Sequence, residues 1–89
     1  MSISDIYKIK HRFVTRQIGD DMVLVPVETN VANMNELFTM NSTASFIWKH
    51  VDGVNTEEDI IRLLQEEFDV DMQTAERDLN DFLDQLDNF

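Results

Sequence analysis

The chain has 89 residues, room for one small domain and a single hydrophobic core. Its 18 Asp and Glu against 7 Lys and Arg give a formal net charge of −11, which argues against nucleic acid because phosphate binding draws on clustered Lys and Arg. Hydrophobic residues make up 43%, including six Phe and one Trp, so this is not an acidic disordered tail, and the lack of cysteine excludes disulfides and thiolate chemistry.

Residues 1–10 lack the basic-then-apolar pattern of a signal peptide. The longest apolar run, residues 22–27, falls far short of the roughly 20 needed to cross a bilayer. The reading is a cytoplasmic protein without a membrane partner, forming one domain over 1–89. Residues 1–9 are a terminus that can be flexible, residues 10–40 a β part and residues 41–87 a three-helix part.

Charge and texture change near residue 27. Up to that point four bases face three acids; beyond it, three bases face fifteen. Residues 13–18 and 22–27 are rich in β-branched and aromatic side chains, with Gly19-Asp20-Asp21 between them, which predicts a hairpin. Pro26 cannot donate to a ladder and belongs at a strand end or an edge. Residues 28–36, with three Asn, read as a loop, and Leu37-Phe38-Thr39-Met40 as a short third strand.

From Asn41 the period becomes helical. Ala44, Ile47, Trp48 and Val51 share one face, with Ser42 or Thr43 as the N-cap and Gly53 at the left-handed closing position. A second helix opens at Thr56 with Glu57, Glu58 and Asp59 in its first turn, where negative charge meets the helix dipole. A third follows Asp71 with the stripe Met72, Ala75, Leu79, Phe82, Leu83 and Leu86. The fold class is α+β, winged-helix-like: a three-stranded antiparallel sheet followed by three helices, β-β-β-α-α-α.

Candidate chemistry is thin. His11 and His50 stand in no metal-binding spacing, and Ser42, Thr43 and Ser45 lack a nucleophile elbow and suit helix capping instead. Asp69-Val70-Asp71-Met72-Gln73 lacks the glycine and the third acid of a calcium loop. Two glycines in the whole chain provide no phosphate cradle. The expectation is a non-enzyme with no cofactor and no metal. A DNA-binding winged helix is disfavoured because the outward face of the last helix, with Glu76, Asp78, Asp81 and Asp84 against Arg77, would repel phosphate. Phe46 lies off the main stripe of the first helix and is read as an exposed apolar anchor.

Met40-Asn41-Ser42-Thr43-Ala44, then Ile47-Trp48, Asp52-Gly53 and Thr56-Glu57-Glu58-Asp59-Ile60, followed by Leu64, Phe68-Asp69-Val70 and Phe82-Leu83-Asp84-Gln85-Leu86, resemble the signature of PqqD-like proteins, named for the pyrroloquinoline quinone synthesis protein D. The resemblance spans about residues 10–87. Met40 stands where Leu is usual, and Asp87-Asn88-Phe89 replaces the usual apolar ending.

The resemblance implies a RiPP recognition element, a peptide chaperone that captures the leader of a ribosomally made precursor peptide and presents it to a modifying enzyme, often a radical S-adenosylmethionine (SAM) protein. In the family the leader pairs antiparallel with the third strand and packs against the last helix, a case of strand addition. Carried onto this chain, the peptide-binding residues are Leu37, Phe38, Thr39 and Met40 with Ala75, Leu79, Phe82, Leu83 and Leu86. The helix residues are equally explained as core. Two other readings stay open: a winged-helix adaptor or oligomerisation module, in which the unpaired edge meets its own copy as a homodimer, and a DNA-binding regulator.

Overall fold

A computed structural model describes residues 2–27 and 38–88. Leu37 and the loop expected over 28–36 lie outside the described residues. The elements are α1 (Ile3–Ile9), a 3-10 turn (Lys10–Arg12), β1 (Phe13–Ile18), β2 (Asp21–Pro26), β3 (Phe38–Met40), α2 (Ser42–His50), α3 (Glu57–Phe68) and α4 (Met72–Asp87). The three strands form an antiparallel sheet in the order β1-β2-β3, followed by three helices as expected.

The helix α1 is an addition to the expected order. Its start carries a reciprocal cap: the Asp5 amide donates to Ser2 Oγ at 3.2 Å and the Ser2 amide to Asp5 Oδ2 at 3.1 Å. Ile6 then sits fully buried in the core. Lys10 ties this end of the chain to α2. Its Nζ donates to the carbonyls of Trp48 at 2.6 Å and Val51 at 2.8 Å, 5.3 Å from the centre of the Trp48 ring. A cation there satisfies the Val51 carbonyl and adds a second donor to the Trp48 carbonyl, which also accepts from the Val51 amide at 3.3 Å. Partial burial holds the Lys10 ammonium below the usual lysine range, an effect the nearby Asp52 charge opposes.

Glycine closes the hairpin. Gly19 has φ +63 at the first central position of the turn, a conformation open to it because it has no Cβ. Along β2, Leu24 is fully buried and faces the helices with Met22, and Met40 and Phe38 lie opposite these two on β3.

The helix starts follow the caps, with one correction. Asn41, not Ser42 or Thr43, caps α2: its side-chain oxygen accepts from the Ala44 amide at 2.8 Å, and Ser42 is already helical. Asn leaves the strand in extended conformation and caps as well as Ser does. The cap at the end of α2 is Val51, so Gly53 lies two residues beyond it, not at the first position past the cap. It has φ +84 there, and an added Cβ would come within 2.7 Å of the Tyr7 ring. Thr56 and Asp59 form the reciprocal cap of α3, and Asp71 caps α4 through the Thr74 amide at 2.8 Å. Ile6, Leu24, Met40, Ile47, Ile60, Leu64 and Leu79 form the fully buried centre. Phe46 is no exposed anchor: it is half-buried, its ring edge-to-face with Phe68 at 5.5 Å and tilted over His50 at 4.2 Å.

Candidate functional site

Pairing in an antiparallel sheet alternates between residues that exchange both main-chain hydrogen bonds with the neighbouring strand and residues whose N–H and C=O point the other way. In a two-residue hairpin the pair flanking the turn is hydrogen-bonded, here Ile18 with Asp21. The alternation runs on through Arg16–Val23 and Val14–Val25 to the far end, where the Val27 amide donates to the Arg12 carbonyl at 2.8 Å. Val23 therefore spends its main-chain groups on β1. Its partner on the other side, Thr39, cannot bond to β2 through those groups. The N–H and C=O of Thr39 point away from the sheet, at an edge where no further strand pairs among the described residues. Met22–Met40 and Leu24–Phe38 are then the pairs that hold β3 in place.

On the inward side of β3, the Phe38 ring meets Phe82 of α4 edge-to-face, centroids 6.2 Å apart. This contact places α4 beside the open edge. Immediately past Met40 a cleft of about 110 Å³ separates the first turn of α2 from α4. Ala44 and Phe82 supply its apolar lining, and Asn41, Thr43, Asp78, Asp81 and Gln85 its polar lining. Asp78, Asp81, Phe82 and Gln85 follow the i, i+3, i+4, i+7 spacing of one helix stripe, flanking the core stripe. A larger hollow of about 430 Å³ lies at the other end of α2, between Tyr7, Gly53 and Val54, and borders no strand edge.

The residues expected to bind peptide fall into two groups. Thr39 is exposed, Phe38 half-buried and Met40 buried, so this strand offers main chain at its edge and side chains to the core. Ala75, Leu79, Phe82, Leu83 and Leu86 are all at most 5% exposed and belong to the core, and of these only Phe82 also lines the cleft. The polar lining was missed. The sequence places Asp78 and Asp81 on the outward face of the last helix, yet Asp78 is half-buried and neither makes a hydrogen bond or ion pair among the described residues. Their stripe with Phe82 and Gln85 was the available signal. Among the described residues, no three metal-ligating side chains converge, and no helix is long and apolar enough to cross a membrane.

A family model described as coenzyme PQQ synthesis protein D matches residues 21–88. The chain belongs to the PqqD family. Its hairpin, third strand and three following helices are the elements that the resemblance anticipated. The PqqD-family chain is also similar to a solved structure, TbiB1 in complex with the TbiA(beta) leader peptide. The two are 33% identical and superpose with a TM-score of 0.66, over 99% of this chain and 90% of that one. No curated protein sequence matches this PqqD-family member.

Proposed function

We propose that this domain captures the leader segment of a ribosomally made precursor peptide by adding it as a fourth strand along β3 and presents it to a modifying enzyme. The observation that carries this reading is the outward main chain of Thr39 beside the Phe38–Phe82 contact. Main-chain hydrogen bonds at such an edge supply affinity, and pockets for alternate side chains supply selectivity. TbiB1, 33% identical and of similar fold, has been solved with a leader peptide bound, which supports the same class of ligand here.

The domain acts without chemistry of its own: binding and orientation are its contribution, and the bond-making steps belong to the partner. The resemblance to PqqD-like proteins points to a radical SAM enzyme in that role. The guest strand runs antiparallel to β3, so its N-terminal part lies near Met40 and the cleft.

The test is a titration of isotope-labelled protein with the peptide encoded beside its gene, followed through amide resonances. Shifts should concentrate at Thr39, Met40, Asn41 and the Phe82 turn of α4. Shifts centred on Tyr7 and Val54 instead, or none at saturating peptide, would refute the reading. A concentration-dependent change at Thr39 without peptide would show that the edge meets a second copy.

A further inference from the structure

The edge geometry dictates which guest side chains look inward. A guest residue opposite Thr39 exchanges main-chain hydrogen bonds with it and turns its side chain to the outer face, as Thr39 does. Its two neighbours point inward. The one after it stands opposite Phe38 and meets Phe82; the one before it stands opposite Met40, next to the cleft.

That cleft has uncompensated negative charge. Asp78 and Asp81 face the first turn of α2, whose dipole contributes only about half a positive charge, partly satisfied by the Asn41 cap. Arg77, the basic residue of α4, pairs with neither carboxylate. Two carboxylates against half a charge leave the cleft anionic, and Phe82 and Ala44 suit the apolar stem of a long cationic side chain.

Resting on the strand-addition reading, we infer that the guest peptide carries a Lys or Arg two positions before an apolar residue, the base seated between Asp78 and Asp81 and the apolar side chain on Phe38 and Phe82. Selectivity then resides in a basic-x-apolar pattern, read by one charged cleft and one aromatic pair on the same face.

Selection of random displayed 12-residue peptides on the wild-type protein and on an Asp78→Asn/Asp81→Asn double variant tests this. Peptides enriched on the wild type should share the basic-x-apolar spacing, and those enriched on the variant should keep the apolar residue and lose the base. A synthetic peptide from the first set should bind the variant about fivefold more weakly. Its Lys→Ala version should bind both proteins equally, and thermal melts should confirm that the variant is folded. Enriched peptides with an apolar strand pattern but no base, or equal loss for the Lys and Ala peptides, would overturn the inference and leave strand addition standing. No enrichment on either protein would overturn strand addition itself.

Discussion

Replacing Thr39 with proline separates binding from folding, because the register assigns the Thr39 N–H to the outer edge. Proline removes that donor and projects its ring where a guest strand would approach. The β2–β3 ladder loses nothing, since its bonds run through the Met22–Met40 and Leu24–Phe38 pairs. Phe38, the residue before the proline, is already in the extended conformation that a following proline demands. For the complex, one main-chain hydrogen bond is lost, worth about 1 kcal/mol net, and the guest carbonyl left facing the ring adds roughly 1–2 kcal/mol. The sum, about 2–3 kcal/mol, corresponds to roughly 30- to 150-fold weaker binding. Fluorescence polarisation with labelled leader peptide would measure the affinity, and a circular-dichroism melt would check the fold. A folded Thr39→Pro variant with wild-type affinity would refute the edge as the site; an unfolded one would show that the register argument is wrong.

Two further predictions concern the scaffold. Lys10→Met keeps the apolar stem but removes the ammonium donor from the Val51 carbonyl and from the Trp48 carbonyl, which keeps the Val51 amide; after allowance for partial exposure it should cost about 1–2 kcal/mol and lower the Tm by roughly 5–15 °C, and an unchanged melt would show that the tether contributes nothing. Asp71 is held below the ordinary aspartate value of 3.8, first by its hydrogen bonds with Thr74. A depressed carboxyl contributes stability that is complete above the ordinary value and lost as the pH falls through the folded-state value. The Tm margin of wild type over Asp71→Ala should therefore be widest above pH 3.8 and narrow below it; a margin independent of pH across that range would contradict the role of the charged cap.

Local chemistry accounts for the elements that were legible in the chain. The Gly19 turn joins two runs of strand formers, Thr56 with Asp59 and Asp71 each carry a cap and the apolar stripe that follows it, and these signals act within a few residues. The missed helix α1 had the same kind of signal, Ser2 three residues before Asp5, with Ile6 as its one fully buried side chain. So short a segment has little periodicity of its own and gains its stability from docking. The core list of α4 was readable from spacing except for Met72, which the period places on the stripe but which is 57% exposed at the first turn of the helix; the use of that stripe as a binding wall was not readable, because burial looks the same in sequence whether the neighbour is the chain's own strand or a guest.

Order in the chain thus determined the strand-strand-strand-helix-helix-helix succession, the caps at Thr56 and Asp71, and the acidic character of the helical half. Assembly decided the rest. The direction in which Thr39 points depends on its register with Val23, which is set across an intervening loop and has no local code. The reach of Lys10 to Trp48 and Val51, the cover of Phe68 over Phe46, and the meeting of Asp78 and Asp81 with the start of α2 each join residues far apart in the chain. Such contacts are consequences of packing, so a pattern with a period of two or 3.6 residues can say which side chains turn inward but not which of them will meet.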